Sequence, residues 1–87
     1  MADLAQEEEW FVYMLQCRDG KIYTGITNDF ERRIKQHNRG QGCRFTKFRT
    51  PVTLLHKEVF LSKSLALKRE AEIKGWNRNR KLALMTR

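Results

Sequence analysis

Apolar positions along the chain come first as an unbroken run, then in a helical period, then in a mixture of both. Residues 10–17, Trp-Phe-Val-Tyr-Met-Leu-Gln-Cys, are almost continuously apolar and rich in aromatic side chains. Such a run predicts a strand covered on both faces rather than an amphipathic edge. Asp19-Gly20 follows, a hairpin signal because a type I′ turn needs positive φ at both of its central positions. Ile22-Tyr23-Thr24-Gly25-Ile26 is then the return strand, where Gly25 lets backbone or ligand approach closely. A helical period starts near Asn28, which can cap, with Glu31 placed as in a capping box. Phe30 and Ile34 share the inward face of this helix, and Asn38-Arg39-Gly40 ends it. Gln41 to Thr50 reads as a loop closed by Pro51, and Val52 to Phe60 as a third strand. Ser62 or Ser64 caps a second helix running to about Lys74, where Gly75 breaks it. Asn77 can cap a short third helix that ends near Thr86, with Leu82 and Met85 facing inward. The order ββαβαα, without repeat or linker, predicts one α+β domain over residues 10–87. Residues 1–9, acidic and aperiodic, are expected to form a disordered lead-in.

Charge points to a class of partner only when its distribution is considered. The net charge of +8 comes from 18 bases and 10 acids in 87 residues. Four of the acids (Asp3, Glu7, Glu8, Glu9) fall in the lead-in, and from Arg32 through Lys57 there are eight Lys or Arg and no acid. A cationic face of that kind is the electrostatic footprint of a nucleic-acid binder, although a solvated basic surface gives the same composition. Phe45 and Phe48 lie among Arg44, Lys47 and Arg49 in the loop, and Arg32, Lys35 and Lys74 add cations on the helices. Residues 1–4 lack the charged and apolar regions of a secretory signal, so a cytoplasmic location is expected, with Cys17 and Cys43 reduced. Cys43, His37 and His56 lack the paired spacing of a zinc site. No apolar run approaches the ~18 residues of a membrane span, so no membrane partner is expected.

Certain residue choices are costly for a fold alone. Arg33 and His37 are four apart and share a helix face that borders the Phe30/Ile34 stripe. Arg presents a planar fork of donors suited to phosphate, although a surface Arg with a His over the helix end fits the same spacing. On the second helix, Ala66, Ile73 and Trp76 define an inward stripe, and Glu70 falls inside it. A carboxylate on an apolar face is costly unless it is paired or binds a metal. Lys74 offers an i,i+4 pair worth only ~0.3–0.5 kcal/mol, whereas a divalent ion held by one carboxylate, waters and substrate phosphate accounts for an inward placement. Tyr13 and Tyr23 are each explicable as core aromatics, but the Asp19-Gly20 turn sets their strands side by side near Gly25.

The segment from Tyr13 to His37, with Glu70 downstream, resembles the GIY-YIG nuclease superfamily, and within it the small UvrC-like proteins grouped as UPF0213 (YhbQ-like). The half-motifs are Phe11-Val12-Tyr13 and Tyr23-Thr24-Gly25, followed by Gly25 to Ile34 and Gln36-His37-Asn38. Pro51-Val52, Glu58-Val59-Phe60, Ala66 to Lys74 and Lys81-Leu82 resemble the small-protein subgroup, so the match spans residues 10–85. The resemblance implies a three-stranded antiparallel sheet flanked by helices and a phosphodiester hydrolysis site with one divalent ion, Mg²⁺ or Mn²⁺. In that scheme Glu70 holds the ion, Tyr23 or Tyr13 orients or deprotonates the attacking water, and Arg33 neutralises transition-state charge. His37 positions a tyrosine or water, or acts as the base. The implied partner is nucleic acid, DNA in the first instance, in repair or recombination. A protein partner would supply specificity that such relatives take from an added domain. The alternative is a binding module or accessory subunit without catalysis. Phe11 replaces the first glycine, Ile26 stands where some members carry lysine, and Asn77 and Asn79 compete for a late asparagine.

Overall fold

Trp10–Gln16 (β1) is the middle strand of a three-stranded antiparallel sheet. It is flanked by Ile22–Thr27 (β2) and Thr53–Phe60 (β3). Helices Phe30–Asn38 (α1), Lys63–Lys74 (α2) and Arg78–Ala83 (α3) complete the order ββαβαα, and a 3₁₀ turn spans Leu84–Thr86. The structure, a computed structural model, describes residues 9–86. Apart from Glu9, the expected acidic lead-in therefore lies outside the described residues. No helix among the described residues is long and apolar enough to cross a membrane.

The apolar run of β1 is buried on both sides, as its lack of alternation implies. Val12 and Met14 pack with Ala66 and Ile73 of α2. Tyr13, Leu15 and Cys17 pack with Val52, and Tyr23, Phe30 and Ile34 close over them. Successive strand residues point to opposite faces, so one strand supplies two cores. Thr24, paired with Met14, carries a buried hydroxyl that has no hydrogen-bond partner. Where β1 meets β3 the register shifts between Met14 and Leu15: Met14 faces His56 while Leu15 faces Leu54. Leu55 is the extra residue, and this bulge turns it to the Val12/Met14 side.

Asp19-Gly20 marks the hairpin, but the turn is not type I′. Gly20 has φ of 89° and no described residue other than glycine has positive φ, so Asp19 cannot occupy such a turn's first central position. The Gly20 N–H donates to the Cys17 carbonyl (2.9 Å) and the Cys17 N–H to the Lys21 carbonyl (2.8 Å). That is a three-residue loop, Arg18 to Gly20, with glycine in the left-handed position. Asp19 instead accepts the Lys21 N–H at 3.2 Å and Arg49 Nε at 3.0 Å.

Helix α1 is capped by Asp29, not Asn28. The Asp29 N–H donates to Thr27 Oγ1 (3.0 Å), and Asp29 Oδ1 accepts the Arg32 N–H (3.4 Å). The Thr27 contact turns the chain one residue later than the sequence suggests. At its other end the Gly40 N–H reaches the His37 carbonyl and the Gln41 N–H the Gln36 carbonyl, with Gly40 at φ 76°. This is a Schellman stop one turn after the helix delivers His37 to the sheet. Ser62, rather than Ser64, caps α2, and Asn77 caps α3. Met85 is 48% exposed rather than inward. The chain tightens to 3₁₀ after Ala83, and Leu84 takes the inward place beside the Val12/Met14 cluster.

Candidate active site

Tyr13 and Gly25 are direct partners across β1 and β2, and Tyr23 is two residues from Gly25 on the same face. The phenol rings meet at 6.2 Å with a 48° tilt. A Cβ on Gly25 would stand 2.8 Å from both the Tyr13 hydroxyl and Tyr23 Cε2, so the rings occupy the place of a side chain. Glycine is required here by close approach, not by backbone conformation.

His37, in the last turn of α1, is fully buried against this pair. Its Nε2 lies 2.9 Å from the Tyr13 hydroxyl, and its ring centroid is 5.2 Å from that of Tyr23. On the far side Nδ1 lies 2.8 Å from Thr46 Oγ1, in the loop after α1. That loop closes tightly over the imidazole: a Cβ on Gly42 would fall 2.3 Å from Nδ1. Arg33, one turn before His37, donates from Nη1 to the Gly42 carbonyl at 3.3 Å. The four-residue spacing of Arg33 and His37 thus brings one group onto the loop and the other beneath it. Cys43 Sγ is 3.6 Å from Thr46 Oγ1, within reach of a hydrogen bond.

Burial, then the neighbouring Tyr23, pushes the Tyr13 phenol well above its ordinary pKa, and Arg33 only partly offsets this. Burial and then Cys43 push Tyr23 up to about 12. Both phenols are therefore protonated at neutral pH. Burial, then the Arg33 charge, lowers His37 to about 4, so the imidazole is neutral. Burial raises the Cys43 thiol, but hydrogen bonds from the Thr46 amide and hydroxyl, from Tyr23 and from the Phe45 amide outweigh it and lower its pKa. Arg33 and Glu70 both act electrostatically on both phenols, one from α1 and one from α2. The Glu70 side chain is 16% exposed, and Lys74 Nζ lies 3.2 Å from its Oε2. Among the described residues no group of three or more His, Cys, Asp and Glu could hold a metal ion. A divalent ion at Glu70 would have to complete its shell with water and phosphate oxygens, as Mg²⁺ commonly does.

Residues 9–83 match the family model described as the GIY-YIG catalytic domain. The chain belongs to the GIY-YIG family. Its relatives include a UPF0213 protein of Staphylococcus saprophyticus, 48% identical over 91% of this chain and 96% of that one. A UPF0213 protein of Staphylococcus aureus is 51% identical over 86% of this chain and 92% of its own length. Two solution NMR structures share the fold. The UPF0213 protein of Bacillus halodurans gives a TM-score of 0.59 at 41% identity, covering 90% of this chain and 83% of that one. A protein of E. faecalis gives 0.63 at 35% identity, covering 92% and 85%.

Of the departures from the GIY-YIG half-motifs, Phe11 lies on the phenol face of the sheet and Ile26 on the other. Phe11 packs its ring on Phe30 at 5.6 Å, and Ile26 packs with the Val12/Met14 cluster behind the sheet. Arg32 and Lys35 are exposed along α1, where they share a polar groove with Gln36 and Arg39. Arg44 and Lys47 line a second groove beside Cys43. Arg49 is engaged internally: it donates to Asp19 and to the Phe45 carbonyl (2.6 Å), and lies 4.5 Å over the Phe45 ring. Phe45 itself stacks on Tyr23 at 5.8 Å, whereas Phe48 is 79% exposed with Lys47 above it. Of the two competing asparagines, Asn77 is engaged as a helix cap and Asn79 is exposed on α3. His56 lies behind the sheet, bonded to Glu58, which Arg69 holds by a two-point contact. Sequence reasoning missed Gly42, Cys43 and Thr46. The glycine pair Gly40 and Gly42 was the available sign that backbone passes close to something there.

Proposed function

We propose that this protein is a divalent-metal-dependent endonuclease that hydrolyses phosphodiester bonds in DNA, with a role in repair or recombination. The observation that carries the reading is the convergence of Tyr13, Tyr23 and His37 over Gly25, with the Arg33 and Glu70 charges acting on both phenols. Glu70 is suited to hold Mg²⁺ or Mn²⁺, since it is a mostly buried carboxylate whose present partner, Lys74, is an exposed and releasable cation. The ion, when bound, supplies positive charge to the scissile phosphate and the leaving oxygen. Arg33 holds the phosphate and offsets its growing negative charge. Tyr13 and Tyr23, protonated at neutral pH, orient the attacking water by hydrogen bonds. His37, neutral and within reach of the Tyr13 hydroxyl, accepts the proton that Tyr13 passes on when it takes one from water. Arg32, Lys35, Arg44, Lys47 and the released Lys74 hold the backbone on either side, and Arg49 fixes Phe45 against Tyr23.

A second reading, a binding module without catalysis, is favoured by the Lys74 contact to Glu70 and by the exposed Phe48 beside Lys47. A cleavage panel separates the two. Purified protein with Mg²⁺ or Mn²⁺ is expected to nick branched or flapped DNA, and RNA counterparts test substrate class. Glu70→Ala is expected to lose about 100-fold or more in rate while affinity stays within about threefold, with Tyr23→Phe and Arg33→Ala also impaired. Binding without cleavage by the wild type would support the second reading, and equal nicking by Glu70→Ala would point to a contaminant and overturn the first.

A further inference from the structure

The imidazole of His37 has a hydrogen-bond partner at each nitrogen, Tyr13 at Nε2 (2.9 Å) and Thr46 at Nδ1 (2.8 Å). A neutral imidazole carries one N–H, so one contact is given and the other received. Nothing about His37 alone decides which. The choice matters, because only a bare Nε2 can take a proton from Tyr13.

We propose that Thr46 is a positioning residue that places the His37 proton on Nδ1, and that Cys43 sets the direction by accepting a hydrogen bond from the Thr46 hydroxyl. The geometry runs in one line: Cys43 Sγ lies 3.6 Å from Thr46 Oγ1, which lies 2.8 Å from His37 Nδ1, whose Nε2 lies 2.9 Å from the Tyr13 hydroxyl. Threonine has one O–H to give and two lone pairs to receive with. The Phe45 and Thr46 amides and the Tyr23 hydroxyl all favour negative charge on the sulfur, and in that field sulfur serves Thr46 as acceptor rather than donor. The Thr46 hydroxyl therefore donates to sulfur and receives the Nδ1–H. Nε2 is left bare, and the Tyr13 O–H points at it. The Gly42 backbone packs against the ring on this side, where an added Cβ would strike Nδ1. Cys43 thus reaches both phenols, Tyr23 directly and Tyr13 through Thr46 and His37. The purpose of this relay rests on the nuclease reading, but its direction exists whether or not the protein cuts.

The test is the two-bond ¹H–¹⁵N spectrum of the histidine rings at neutral pH, with His56 assigned by His56→Gln. Wild-type His37 is expected to show a protonated Nδ1 and a bare Nε2. Thr46→Val, which keeps shape and removes the acceptor, is expected to shift the tautomer ratio by about tenfold toward Nε2–H. Thr46→Ser should restore the wild-type pattern, and Cys43→Ala should move it part of the way toward Thr46→Val. An Nε2–H tautomer in the wild type overturns the proposal, even if Thr46→Val fails to fold. An unchanged Nδ1–H in Thr46→Val overturns it as well. Cleavage is scored separately: the expected tautomers in a protein that does not cut refute the nuclease reading and leave the relay standing.

Discussion

The two faces of β1 come from alternate residues of one strand, yet different interactions hold them. Behind the sheet, Val12 and Met14 meet Ala66 and Ile73 in a wholly apolar cluster, and a chain of ionic contacts through His56, Glu58, Arg69 and Glu72 runs beside it. In front, Tyr13 is as deeply buried, but it meets the His37 imidazole, the Tyr23 and Phe30 rings and Gly25. The rear face is non-directional and tolerates a change of shape at a cost in volume. The front face depends on donors meeting acceptors, so its failures should be electrostatic and sensitive to pH.

The largest expected effect tests the rear face. Met14→Ala should cost about 2–5 kcal/mol by leaving a cavity, measured by urea unfolding, while the His37 ring spectrum stays as in the wild type. A changed tautomer in that variant would mean that the faces are not independent. Next in size is an acid titration of the front face. His37 takes up a proton near 6.5 when unfolded and at about 4 when folded. Between those values the unfolded chain binds the extra proton, so stability falls as pH drops through this window, by about 3 kcal/mol in all. His37→Gln should lose this part of the slope and keep only the smaller part from Glu58, whose carboxyl Arg69 holds below the usual range, and a wild-type curve no steeper than that variant's would remove the buried neutral imidazole. Smallest is a matched pair. Thr46→Val should cost about 1–3 kcal/mol by stranding His37 Nδ1, whereas Thr24→Val, which removes a rear-face hydroxyl without a partner, should be neutral or stabilising by up to about 1 kcal/mol. Chemical denaturation of both reads the contrast directly, and the same sign for the two would break it.

Much of the fold was legible because it depends on local pattern. The run at residues 10–17, the glycines at 20, 40 and 75, and the caps Ser62 and Asn77 all act within a few residues of themselves. The shift from Asn28 to Asp29 shows the limit, since the deciding bond to Thr27 Oγ1 is a matter of geometry, not residue type. At the site, Tyr13, Tyr23, Arg33 and His37 were readable because strand and helix periods bring them together. Thr46 and Cys43 were not. They lie in a loop without period, and their partners are 9 and 20 positions away, in His37 and Tyr23. The loop aromatics looked alike in sequence, and only packing separates Phe45, stacked on Tyr23, from Phe48 in solvent.

β3 is an outer strand, with Leu54 and Val59 exposed along it. An apolar edge of that kind is a template on which a second chain can lay a strand and begin a stack. The extra residue at Leu55 bends the strand and interrupts the regular ladder of amides, and Lys57 adds charge two positions on. A fibril growing from this edge would lose a rung at Leu55. The irregularity that aims one leucine into the core also makes neighbouring molecules poor at zipping together.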